Sequence, residues 1–161
     1  MPDAVTRVLF VCLGNICRSP LAAAVFRQFA ADRGVANRFE VDSAGISGYH
    51  NGASPDRRSA ETALRRGVRL EGVSRQLTAA DLDRFDWVIA MDTENLDEIE
   101  ALRRRAGGRA QVHRLREGDP RPHGLDVPDP YYGGPRGFDE VHDIVERSCA
   151  GLLDHLLRPQ G

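Results

Sequence analysis

The 161-residue sequence has no lysine; all 22 basic residues are arginine, which a GC-rich coding bias explains without any mechanism. Cysteine is scarce too. The three present, Cys12, Cys17 and Cys149, do not make a disulfide framework. No apolar run approaches the ~20 residues of a membrane span, so no membrane is expected as a partner. The start, Met1-Pro2-Asp3-Ala4, lacks the charged leader and apolar stretch of a signal peptide. A cytoplasmic location is expected, and export by a signal-less route stays compatible with it. The formal net charge of −2 gives no argument for nucleic acid. His113, His123, His142 and His155 are scattered without ligand spacing, so neither metal nor cofactor is expected. What is there is ordinary. The chain is 41% hydrophobic and 29% charged, long enough to form one domain over residues 1–161 with a proper core.

Strand and helix patterns alternate along the chain. Val5 to Val11 reads as a buried strand, and Leu21 to about Asp32 as a helix stopped by Gly34. Phe39 to Ser43 alternates as a second strand. A second helix opens at Ser54-Pro55, with Ser or Asp capping, and runs to about Arg66. Thr78 to Asp81 resembles a capped short helix start. Trp87 to Met91 is a buried third strand, followed by a helix capped by Asp92 or Thr93 and ending near Ala106. Ala110 to Leu115 is a weaker fourth strand. A long loop, Glu117 to Gly137, precedes a last helix starting at Phe138 or Asp139, with Val141, Ile144, Val145, Cys149, Leu152, Leu153 and Leu156 on its apolar face. Such alternation predicts an α/β three-layer sandwich, a four-stranded parallel sheet flanked by helices. Ligands in these sheets bind beyond the carboxyl ends of strands.

The segment Cys12-Leu13-Gly14-Asn15-Ile16-Cys17-Arg18-Ser19 stands at such an end, with Pro20 opening the alanine-rich helix behind it. A loop between strand end and helix start gathers backbone N–H groups into one concavity, backed by the positive end of the helix dipole. That cradle suits a phosphate dianion. The same field favours the thiolate of a cysteine placed in it, and the thiolate is the form that attacks. A guanidinium six residues on can clasp two phosphoryl oxygens. Cys12 is therefore the candidate nucleophile, Arg18 the phosphate clamp, and the N–H groups of Leu13 through Arg18 the cradle. The chemistry is phosphate-monoester hydrolysis through a phosphocysteine.

Loops longer than about 12–15 residues in a compact domain are usually functional or disordered. The loop after the fourth strand carries Asp126-Val127-Pro128-Asp129-Pro130-Tyr131-Tyr132. An aryl leaving oxygen needs a proton, and Asp129 is the candidate donor, with Asp126 and Asp119 in reserve. Tyr131 and Tyr132 could wall the pocket for a phenyl ring. The alternative for Asp129-Pro130 is plain turn chemistry.

In these segments, and in Asp42-Ser43-Ala44-Gly45 and Ala90-Met91-Asp92 with Asn95, the chain resembles the low-molecular-weight protein tyrosine phosphatases of bacterial type, essentially end to end. The resemblance implies a flavodoxin-like sheet and metal-free hydrolysis of phosphotyrosine. It implies that Ser19 hydrogen-bonds the thiolate and eases its departure, and that Asn15 takes an unusual backbone conformation braced by Ser43. Tyr49 and His50 fall in the family's variable loop at the pocket mouth. Cys17 would be a reversible disulfide partner for Cys12; a packing role is the equal alternative. Cys149 reads as core. The expected partners are tyrosine-phosphorylated proteins, with a bacterial tyrosine kinase or host proteins among the options, and inorganic phosphate as product.

Two departures from the family pattern stand out. Gly72 occupies a position where a histidine is common, and Ala23 one where glutamate is frequent, which puts the rigidity of the cysteine loop in question. Arsenate reductase is a weaker reading, because residues 50 to 148 contain no cysteine. Protein-arginine phosphatases carry threonine where Ile16 stands. A silent oxyanion-binding module fits poorly with Cys12, Arg18, Ser19 and Asp129 all present.

Overall fold

The computed structural model describes residues 4–120, 124–130 and 135–158. Its first strand, β1, is Thr6–Cys12; the others are β2 (Phe39–Gly45), β3 (Trp87–Ala90) and β4 (Gln111–Arg114). The helices are α1 (Arg18–Asp32), α2 (Arg57–Arg65), α3 (Ala79–Arg84), α4 (Thr93–Ala106) and α5 (Pro135–Leu157). The strands form one parallel sheet in the order β2-β1-β3-β4. The expected α/β sandwich is what the chain forms.

Side-chain alternation explains the layers. Val8, Phe10, Trp87, Ile89 and Met91 point into the cluster that α1 and α5 cover, with Ala63 of α2. Leu9, Val11, Val88 and Ala90 point the other way, against Leu82 of α3 and Ile99 of α4. Val8 through Val11 are wholly buried because β1 is central, with a helical layer on each side. That burial accounts for an unbroken apolar run instead of an alternating one.

The chain leaves β1 for β2 on one side, then crosses to β3 on the other. The sheet thus has a switch point between β1 and β3, and a crevice opens beyond their carboxyl ends. Cys12 ends β1, and Asp92 follows β3 as N-cap of α4.

Several boundaries differ from the sequence reading. Helix α1 begins at Arg18, three residues before the expected Leu21, with no side-chain cap at Cys17. Helix α2 starts after Asp56, whose carboxylate accepts from the backbone N–H of Arg58 and Ser59. Helix α5 starts at Pro135, earlier than Phe138; proline suits a first helical turn, where its missing N–H costs nothing. The long loop opens with a 3₁₀ turn, Leu115–Gly118. The expected short helix at Thr78 is present and carries a capping box with Asp81.

Candidate active site

A cavity of about 450 Å³ lies at the switch point, lined by Cys12, Leu13, Gly14, Ile16, Cys17, Arg18, Ser47, Tyr49, His50 and Asp129. Its base is the cysteine loop. Cys12 Sγ lies 3.0 Å from Ser19 Oγ and accepts the Asn15 N–H at 3.2 Å. The main chain of the loop is pinned to the sheet, since Leu13 O accepts from Ser47 N and Cys12 O from Ile46 N. A Cβ at Gly45 would lie 3.0 Å from Leu13 O and 3.1 Å from Asn15 N, tighter than ordinary contact, so glycine lets β2 close on the loop without displacing it.

Asn15 is the one described non-glycine residue with positive φ, at 55°. Asparagine tolerates this region better than most residues, yet it still needs holding. Its side chain donates to Ser19 Oγ at 2.8 Å and Ser43 Oγ at 2.9 Å, and accepts from Arg75 N at 3.1 Å. Every polar atom of the amide side chain is engaged, and the residue is 2% exposed. Arg75 is itself fixed by Asp42 and Asp81.

The two departures do not leave this loop untied. Gly72 has φ +84°, a backbone conformation that disfavours any side chain. Two residues on, Ser74 Oγ donates to Gly14 O at 2.9 Å. Ala23 is buried in the α1 layer, where a small residue fits the packing.

Arg18 is 2% exposed and never far from negative charge. Its Nη1 donates to Asp92 Oδ2 at 2.6 Å and to Val127 O at 3.0 Å; Nη2 lies 3.5 Å from Asp129 Oδ2. Burial works against its charge, but Cys12, Asp92 and Asp129 outweigh this and raise its pKa above the ordinary guanidinium value. Arg18 is a fixed cation aimed into the cavity.

Asp92 was read from sequence only as a helix cap and a motif residue. The structure gives it two tasks: Oδ1 accepts Asn95 N at 2.7 Å, while Oδ2 grips Arg18. Its place directly after a buried strand was the available signal. Ser74-Arg75 stands in the sequence as a pair of the family pattern with no role attached to it, and no local pattern marks Ser47.

Asp129, its side chain 35% exposed, lines the cavity together with the cysteine loop. The reserve acids are engaged elsewhere. Asp126 accepts from Thr93 N and Oγ1 at 2.9 and 2.7 Å, and Asp119 is buried against Arg116 and Arg147. Tyr49, 87% exposed, meets His50 edge to face at 4.9 Å, and His50 lies against Gly14. Tyr131 and Tyr132 lie outside the described residues.

Cys17 is buried with Ile16 and Phe138. Burial above all, then Asp56, Cys12 and Asp129, push its pKa up, with Arg58 opposing, so it stays a neutral thiol. Cys149 is fully buried, its thiol against Ala22 O, as a core residue. Among the described residues, no group of three or more His, Cys, Asp or Glu could hold a metal, and no helix is long and apolar enough to cross a membrane.

Comparison with known proteins points one way. Residues 7–160 match the family model described as low molecular weight phosphotyrosine protein phosphatase. The low molecular weight protein-tyrosine-phosphatase YfkJ of Bacillus subtilis is 46% identical over 149 residues, 91% of this chain and 92% of that protein. The crystal structure of YfkJ superposes with a TM-score of 0.86 at 42% identity, covering 97% of each chain. The crystal structure of a Drosophila arginine phosphatase superposes with a TM-score of 0.89 at 29% identity, covering 95% of this chain and 99% of that one.

Proposed function

The chain belongs to the low molecular weight phosphotyrosine protein phosphatase family, and from that premise we propose how its residues divide the work. It hydrolyses phosphotyrosine by cysteine chemistry, and its substrates are phosphoproteins. Cys12 attacks phosphorus as the thiolate, forming an S–P bond as the bond to the tyrosyl oxygen breaks. Asp129, as the carboxylic acid, gives its proton to that oxygen. The guanidinium of Arg18 and the N–H groups of residues 13 to 18 take up the charge spread over the equatorial oxygens. In the second step the Asp129 carboxylate takes a proton from water. That water attacks phosphorus, and sulfur leaves as thiolate, with the Ser19 hydroxyl donating to it.

One observation carries this reading. Around a single cavity stand a sulfur within reach of Ser19 and an N–H, a buried arginine and a carboxyl group. Asn15 and Ser43 hold the loop in shape; Tyr49 and His50 select at the mouth. We place the activity in one domain spanning residues 1–161, acting in the cytoplasm on tyrosine-phosphorylated proteins, a tyrosine kinase among them. Cys17, neutral and on the same cavity wall, would condense with a Cys12 sulfenic acid, releasing water and forming a disulfide.

The test is rapid quenching during turnover, followed by peptide mass analysis. One phosphoryl group on the peptide containing Cys12 is expected; a phosphoenzyme labelled elsewhere, or none under burst conditions, overturns the assignment. A second reading rests on the likeness to the arginine phosphatase fold. Turnover of phosphoarginine peptides faster than phosphotyrosine peptides would favour it.

A further inference from the structure

We propose that Arg116 is a positioning residue for Asp129, holding the acid-bearing loop at its working distance from the cysteine loop; this rests on Asp129 being the general acid. Arg116 lies in the 3₁₀ turn after β4 and is 5% exposed, outside the cavity. Its Nη1 donates to the carbonyl of Asp126 at 3.0 Å, three residues before Asp129. Its Nε lies 3.3 Å from Asp119 Oδ2, and Asp119, wholly buried, is gripped from α5 by Arg147 at 3.1 Å. A line of charge thus runs from α5 through Asp119 and Arg116 to the main chain of the loop.

The other anchors of this segment sit beside that contact. The Asp126 carboxylate receives Thr93 N and Oγ1 at the start of α4. Val127 N donates to Met91 O at 2.7 Å, and Val127 O accepts Arg18 Nη1. Pro128 follows, exposed, and then Asp129, whose carboxylate meets Arg18 Nη2 at 3.5 Å. The main chain that leads into Asp129 is thus held at Asp126 and Val127.

An arginine is an expensive residue to bury here. Buried ion pairs can often be replaced by apolar residues of like volume with no loss of stability, so stability alone does not call for this one. What a guanidinium adds is direction: a rigid planar fork serves a carboxylate on one side and a carbonyl on the other. No apolar side chain can hold a carbonyl, and a lysine serves only one of the two sites well.

The experiment measures kcat and KM of the full chain for aryl phosphates of graded leaving-group acidity, in wild type, Arg116→Met, Arg116→Lys, Asp129→Ala and Arg116→Met/Asp129→Ala. Misplacing a proton donor hurts most where the leaving oxygen needs the proton most. Arg116→Met is expected to slow the poorest leaving group by about 10–100-fold and the best by about threefold or less, with phosphate inhibition unchanged. Arg116→Lys should fall between. In the Asp129→Ala background the Arg116 substitution should add almost nothing. Equal slowing of all substrates, or undiminished slowing without Asp129, overturns the proposal, because a purely structural defect acts in that way. If Arg116→Met does not fold, Arg116→Lys carries the same comparison in both backgrounds. If Asp129→Ala itself leaves the leaving-group dependence unchanged, the acid assignment falls, which is a different result from failure of Arg116 alone.

Discussion

The two sides of the cavity are built by different means. The cysteine side is one stretch of chain, residues 12 to 19, in which nucleophile, cradle, clamp and thiol-facing hydroxyl follow one another between a strand and a helix. The acid side is an irregular segment whose placement comes from far away in sequence: Met91 and Thr93 after β3, Arg116 after β4, Arg147 on α5. Arg18 joins both sides, through Asp92, Val127 and Asp129. The lesson is that the groups proposed for binding and attack are contiguous in sequence, whereas the proposed acid depends on anchors drawn from several distant elements. Damage to the first side should be near-total, and damage to the second graded.

The sharpest contrast is at the ends of that scale. Cys12→Ser should lower turnover by a factor on the order of 10⁶, as loss of a covalent nucleophile does. Vanadate or phosphate should still bind by calorimetry, since the cradle survives; residual wild-type-like turnover would take Cys12 out of the reaction. Asp129→Ala should slow phosphotyrosine cleavage by about 10²–10⁴ and leave the phosphoenzyme detectable. An unchanged rate would erase the distinction between the two sides.

A subtler break lies inside the cysteine loop. Asn15→Ala removes three side-chain hydrogen bonds and leaves alanine at positive φ, so urea unfolding should show a loss of about 2–4 kcal/mol. Phosphate affinity should fall with it; an unaltered midpoint would mean that the loop holds itself.

The smallest effect concerns Asp56, which caps α2 and donates its own N–H to Ile16 O behind the cysteine loop. Burial alone would raise its pKa, but hydrogen bonds from Arg58 and Ser59, and the Arg58 charge, hold it below the ordinary value. A lowered folded-state value means stability that is present above the unfolded pKa of about 3.9 and is lost as pH falls through the folded one. Asp56→Ala should therefore cost about 1 kcal/mol at neutral pH, and the difference should shrink towards zero in acid. Denaturation curves against pH check this, and a constant offset would contradict it.

Much of this was readable beforehand, and the reasons are specific. Hydrophobic pattern marks the four strands and helices α1 and α5, because each buries its own stripe, while α2, α3 and α4 are marked by their caps and stop residues. Helix starts were misjudged by a few residues at α1 and α5, because the decisive groups there are main-chain ones. Of the three candidate acids Asp129 lines the cavity, and nothing local shows what occupies Asp126 and Asp119.

Residues 12 to 19 can be read without their neighbours: the proposed nucleophile, cradle and clamp are set out in order because one strand–loop–helix turn brings them together. The strand order β2-β1-β3-β4 is different, and with it the meeting of Asp92 with Arg18, of Arg75 with Asn15, and of Arg116 with Asp126. Those pairs lie ten to seventy-four residues apart, and hydrogen bonds across such spans exist only once the core has packed and excluded water around them.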